Sequence, residues 1–309
     1  MNRIKGLSLA VVWSMLFTLC TAQNVNQRTS KSAGRGSEFW KEIIRKDYNP
    51  PRGEPLPPLA RELSSMLGSS DPDQRDDTAY AILANWVYEK RLLAPDDVRP
   101  LIAEWRSNLE FDIGSVGTDS TLRRSFSALM LAVVIARDNV TPFLTPDEFR
   151  VIFNDVLRYL NSEKDLRGYD PGKGWYHSAA HTADLLKFLG RSRYCGPAHQ
   201  EAILDGIIQK MRSSTVVFSF GEDERFAHAV LSLVVRKDFN RDKFREWLSK
   251  AKPTPPASSR PEISTLRANQ NVKNMLAKLE VLLISQGSDS PVQVKESAVA
   301  VQDTLNGTF

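Results

Sequence analysis

The chain has 309 residues, 41% hydrophobic and 25% charged, which is an ordinary globular balance and leaves room for one large domain or two smaller ones. Its formal net charge is only +4, and no basic stripe with interleaved aromatics runs through it, so a nucleic-acid partner is not expected.

Residues 1–22 read as an export signal. Arg3 and Lys5 precede an apolar run from Leu7 to Leu19, and Cys20-Thr21-Ala22 ends in small residues suited to signal peptidase. A membrane anchor and lipidation at Cys20 are the alternatives. The first is opposed by a run shorter than the roughly 20 residues a span needs, and the second by the bulk of Leu19 before the cysteine. Loss of the leader takes Arg3 and Lys5 with it, so the net charge falls from +4 to +2. Only Cys195 would then remain, no intrachain disulfide could form, and a structural role is expected for that thiol. The protein is expected to be periplasmic or extracellular, with no transmembrane span after cleavage.

Residues 23–36 are polar and expected to be a flexible lead. From residue 37 to 250 the spacing is helical throughout. Phe39, Trp40, Ile43 and Ile44 mark a first helix, and Leu59, Leu63 and Leu67 a second. Asp71-Pro72 starts a third, carrying Tyr80, Leu83, Trp86 and Val87. Ala94-Pro95 opens another, with Val98, Leu101, Ile102 and Trp105 inward. A long apolar helix begins near Ser120, and Thr145-Pro146-Asp147-Glu148 is a strong start signal. Gly196-Pro197, Glu222 and Lys243 open the later helices. Only Ser214 to Phe220 reads as extended.

A period of about 50 residues underlies this order. Arg75-x-x-x-Ala79, Arg124-x-x-x-Ala128 and Arg225-x-x-x-Ala229 begin comparable helices, with starts near 71, 120, 172 and 222. The fold expected is all-α, with stacked helix pairs in a HEAT-like superhelix. Residues 251–263 read as a proline-rich linker, 264–286 as a terminal helix and 287–309 as a disordered tail.

The chemistry concentrates between Glu163 and Leu189. His177 and His181 stand four residues apart with Asp184 three further on, so a helix would place them within about 60° on one face. Such a pair can bind one divalent metal ion (zinc, iron or manganese), with Asp184, Glu222 and Asp223 as further candidate ligands. His177, His181 and Asp184 could equally run acid–base chemistry without metal, and locally hydrogen-bonded core histidines are the plain alternative. Ser178 stands where a zincin has glutamate, which removes the metalloprotease reading. The preceding loop holds Arg167, Asp170, Lys173 and Trp175 among three glycines, and with Arg225 these are candidates to hold an anionic ligand. The string from Gly168 to Gly174 is one residue short of a phosphate loop and lacks its Ser or Thr.

These same segments resemble a known family. Asp71-Pro-Asp-Gln-Arg-Asp-Asp-Thr-Ala-Tyr80, the string Asp165-Leu-Arg-Gly-Tyr-Asp-Pro-Gly-Lys-Gly-Trp-Tyr-His-Ser-Ala-Ala-His-Thr-Ala-Asp-Leu-Leu186, and Gly221-Glu-Asp-Glu-Arg-Phe-Ala227 are similar to the bacterial family called domain of unknown function 2785, over roughly residues 60–250. The resemblance implies an α-helical domain and no known activity. The expectation is thus an exported, mainly monomeric helical protein that binds or hydrolyses a small anionic ligand at Arg167–Asp184. The competing expectation is a non-enzymatic scaffold for a protein partner.

Overall fold

The computed structural model describes residues 35–252 and 260–307, and the order of helices in it follows the capping signals. Helices α1 (Ser37–Arg45) and α2 (Leu56–Met66) come first. The next, α3, is composite: π-helical over Asp73–Tyr80, α-helical over Ala81–Ala84 and π-helical again over Asn85–Glu89. Then come α4 (Pro95–Asn108), α5 (Ser120–Val140), α6 (Pro146–Ser162), α7 (Ser178–Arg191), α8 (Pro197–Ser213), α9 (Glu222–Val234), α10 (Arg241–Ala251), α11 (Ile263–Ile284) and α12 (Val292–Asn306). Pro95, Pro146 and Pro197 stand at first helical positions, where the missing N–H costs nothing. Thr145 and Glu148 cap α6 reciprocally. Glu148 N donates to Thr145 Oγ1 at 3.2 Å, and Thr145 N donates to the Glu148 carboxylate at 2.7 Å.

The all-α stack of helix pairs is present. Helices α3, α5, α7, α9 and α11 pack side by side as one row, and α6, α8, α10 and α12 as a second. Two ion pairs fix the register between successive pairs. Arg99 Nε donates to Glu148 at 2.7 Å and Arg106 Nε to Asp155 at 2.5 Å, each across 49 positions. Identical separations on one helix face are what a repeat of about 50 residues requires. Each row buries a stripe at helical spacing, such as Phe149, Ile152, Phe153, Val156 and Leu160 on α6.

Two expectations need correction. Residues 287–309 are not a disordered tail: α12 occupies Val292–Asn306 and buries Val294, Val301 and Leu305 against α11 and α10, completing a fifth helix pair. Ser214–Phe220 is irregular rather than extended. It is held by Asn271 on α11, whose side chain accepts from Phe218 N at 2.8 Å and donates to Val216 O at 2.9 Å. The strands among the described residues lie instead at β1 (Tyr169–Asp170) and β2 (Gly174–Trp175), an antiparallel pair with Tyr169 opposite Trp175. The expected signal and nearly all of the flexible lead (1–34) and the middle of the proline-rich linker (253–259) lie outside the described residues. No helix of the described residues is long and apolar enough to cross a membrane.

The first row packs closely where α7 meets α9. A Cβ on Gly190 would lie 2.7 Å from Ser232 Oγ and 2.8 Å from Leu233 Cδ2. Gly190→Ala is therefore expected to destabilise the fold by about 1–3 kcal/mol through overpacking. The urea midpoint measures it; an unchanged midpoint would show that the crossing relaxes freely.

Candidate functional site

The β1–β2 hairpin enters α7, and its charged residues are anchors. Lys173 Nζ donates to both carboxylate oxygens of Asp119 at 2.8 Å. Arg167 forks onto Asp165 at 2.8 and 3.0 Å and lies 3.8 Å over the Tyr176 ring. Burial works against an ionised Asp165, but Arg167, Thr121 and the Gly117 N–H outweigh it and hold the carboxyl below its usual range. Asp170 Oδ1 accepts from Gly172 N and Lys173 N and so shapes the hairpin turn. Lys173 and Arg167, expected to hold an anion, are thus committed to fastening the hairpin to the loop before α5. From the other side, the buried Arg75 donates to Lys173 O and Ser69 O, each at 2.8 Å.

Past the hairpin, the two histidines meet differently from the expectation. His177 is not inside the helix. It caps α7 with a left-handed backbone (φ 48°, ψ 30°), a conformation uncommon for a residue with a side chain. His181 lies within the first turn. The two rings are 5.6 Å apart at 61°. Trp175 stacks on His177 at 4.1 Å and 5°, and Phe126 meets His181 edge-on at 5.0 Å. Tyr169 and Phe220 pack edge-on against Trp175, and all three remain part-exposed at the rim. Tyr80 reaches Phe126 at 6.4 Å. A continuous run of rings therefore leads from the surface to the polar interior of the first row.

Electrostatics keep both imidazoles neutral. Each histidine is 5% exposed. Burial, then the Arg225 charge, brings His177 down to about 3. Burial, then His177 and Arg225, places His181 well below the usual histidine range. Ser125 is fully buried, and its hydroxyl donates to Tyr176 O, so its oxygen is left to accept from His181 Nδ1 at 2.8 Å. This fixes the His181 tautomer, with the lone pair on Nε2. Ser125 positions an imidazole and is no nucleophile, since its proton is given to a carbonyl. His177 is in a different state: its Nδ1 is buried with no hydrogen-bond partner.

Asp184 carries the local charge. Arg225 Nη1 donates to it at 2.5 Å and Lys187 Nζ at 3.0 Å. Burial favours the neutral acid, but those two cations outweigh it and hold the carboxyl below its normal range. Tyr80 faces this pair; burial first, then the Asp184 charge, raises its hydroxyl pKa. The five-ligand metal set is not assembled. Glu222 accepts from Phe220 N at 2.8 Å and Asp223 from Glu224 N at 2.9 Å, and no three His, Cys, Asp or Glu of the described residues group closely enough to hold a metal ion. Cys195 is buried, and burial pushes its thiol up to about 11, so it is a packing residue. Two open surface depressions lie elsewhere, one against Ile208, Arg212 and Lys250 and the other against Arg241, Arg245 and Glu296; neither holds an orphaned buried polar atom.

Tyr80, Ser125 and Phe126 complete the site, and nothing local in the sequence marks them as polar-site residues. Their role arises because the stack places the starts of α3, α5, α7 and α9 side by side. The model of the family described as "Protein of unknown function (DUF2785)" matches residues 109–283. The chain belongs to this DUF2785 family. The match spans α5 to α11, so it includes the site helices α5, α7 and α9, and it reaches beyond the linker to the terminal helix that the sequence resemblance left out. It starts after α3, so Tyr80 and Arg75 lie outside it. No curated protein and no solved structure matches the chain.

Proposed function

We propose that this DUF2785 protein binds a small anionic ligand, without forming a covalent intermediate, among Tyr80, Trp175, His177, His181 and Arg225. One observation carries the reading: His177 holds a buried, unpartnered Nδ1 on a left-handed backbone. An orphaned buried polar atom costs about 1–3 kcal/mol, and irregular backbone concentrates where ligands are held. The π-helical start of α3, which carries Arg75 and Tyr80, is a second irregularity of the kind that clusters at functional sites. Arg225 gives only Nη1 to Asp184, so its remaining N–H groups suit an anion, while His177 Nδ1 and His181 Nε2 suit a neighbouring hydroxyl or amide.

The neutrality of both histidines favours binding over hydrolysis. A general base works best with a pKa near the working pH, and these imidazoles lie far below it. The test is a thermal-unfolding screen of the full chain against small carboxylates, with His177→Asn and Arg225→Gln in parallel. A compound that raises the wild-type midpoint and loses its effect in both variants is the expected result. A compound equally effective on all three proteins binds elsewhere and counts against this site.

The exposed rim of Tyr169, Trp175 and Phe220 favours a second reading, a protein partner docked at the hairpin. Partner capture that is abolished by Trp175→Ala but untouched by Arg225→Gln would select it. We also propose export, supported by the Arg3/Lys5 start and the apolar run of Leu7–Leu19. The intact mass of the expressed protein reads out cleavage after Ala22.

A further inference from the structure

At the other end of the first row, arginines clasp the preceding repeat, and two of them can be compared directly. Arg236, just past α9, donates to Gly190 O at 2.9 Å and Ser192 O at 3.0 Å. Its charge is met by Asp238, two positions on, at 2.8 and 2.9 Å. Arg137, in the last turn of α5, makes the same kind of clasp, with Nη1 donating to Leu93 O at 2.9 Å. Two positions on from Arg137, however, stands Asn139, which within α5 lies on the opposite face of the helix. Its Nδ2 is turned to Phe188 O at 2.9 Å, and its Oδ1 is buried without a partner.

Arg137 is therefore a buried charge without a counter-charge. It is 5% exposed, and no carboxylate of the described residues lies within ion-pair distance of it. Its Nε is buried and unpartnered. The Phe143 ring at 4.9 Å and the carbonyl end of α5 offset part of the cost. Another cation works the other way. The exposed Arg91, tethered through Nε to Tyr88 O at 3.2 Å, stands two residues before Leu93, whose carbonyl Arg137 clasps, and so sets a like charge near Arg137. A water would satisfy the Nε–H but would leave the buried Arg137 charge without a counter-charge.

We propose that Arg137 and Arg91 hold a small soluble oxyanion that balances Arg137 as Asp238 balances Arg236. Ser125 and Arg137 are 12 residues apart on α5, roughly 18 Å along the axis. The oxyanion site is thus distinct from the histidine site and does not depend on it.

Sulfate is the probe. The thermal midpoint of the full chain is followed against sulfate, with chloride holding ionic strength constant. The expected result is a saturable rise in wild type, an apparent affinity weakened about ten-fold in Arg91→Gln, and no specific rise in Arg137→Met. Arg91→Glu puts a carboxylate where the like charge stands, so its sulfate-free midpoint is expected to exceed that of wild type and its sulfate response to be flat. A wild-type response no larger than that of Arg137→Met would overturn the proposal. So would a full sulfate response in Arg91→Glu with no gain in its sulfate-free midpoint. If Arg137→Met does not fold, Arg91→Gln and Arg91→Glu decide the question alone.

Discussion

Replacing Glu163 by alanine is expected to cost about 3–5 kcal/mol of stability, because it strands a fully buried guanidinium. Arg124 is wholly inaccessible and Glu163 nearly so. Arg124 Nε and Nη2 fork onto Glu163 at 2.6 and 3.0 Å, while Nη1 is spent on Phe111 O, Asp112 O and Ser120 Oγ at 2.9–3.0 Å. Glu163 in turn accepts from Asp165 N at 2.9 Å. The pair therefore ties the loop before α5 to the segment that leads into the hairpin, and its loss loosens the base of the histidine site. Arg124→Lys is also expected to be poor, since one ammonium cannot reproduce the planar fork. The Arg124→Met, Glu163→Met double variant should recover much of the loss, because removing both charges leaves neither unpaired. Urea unfolding measures all three; a Glu163→Ala loss below about 1 kcal/mol would contradict the buried-charge account.

Acidification is expected to destabilise the protein through His177 and His181. Both are held neutral in the fold, His177 down to about 3 and His181 well below normal, whereas an unfolded histidine titrates near 6.5. Below about pH 6.5 the unfolded chain takes up protons that the native state refuses, so stability is lost as pH falls from 6.5 toward 3. Each histidine contributes at most about 1.4 kcal/mol per pH unit, and together up to roughly 4 kcal/mol by pH 5. Asp76, raised to about 6 by burial against the pull of Arg75, and the buried Glu222, also raised, oppose the trend, because they bind protons more readily when folded. The difference between wild type and the His177→Asn, His181→Asn variant isolates the histidine part. That variant should show a flatter profile between pH 6.5 and 4, and an identical slope in the two proteins would remove the assignment.

The helix starts were legible because their chemistry is local. Proline at a first position and the Thr145/Glu148 reciprocal cap act within a few residues. The period was legible because it repeats in charge and in apolar spacing. The partners of charged residues were not, since a carboxylate 54 positions away decides what Lys173 does. The helical face assumed for the histidines failed for a single backbone reason: His177 turns left-handed and stands at the cap rather than in the helix. The α12 pattern of Val294, Val301 and Leu305 was present in the sequence, but a weakly apolar segment reads as tail until α11 supplies a surface to cover.

Most links in the stack join neighbouring repeats, and nearest-neighbour coupling lets such an array fray from its ends. The Arg75 bond to Lys173 O is of another kind, because it spans 98 positions and passes over the intervening repeat. With the Lys173–Asp119 pair it closes a ring through α3, α5 and α7. In native-state hydrogen exchange these three helices should therefore open as one unit, with a common free energy and denaturant slope, while α11 and α12 open separately. Arg75→Met is expected to split that unit and leave α3 exchanging on its own.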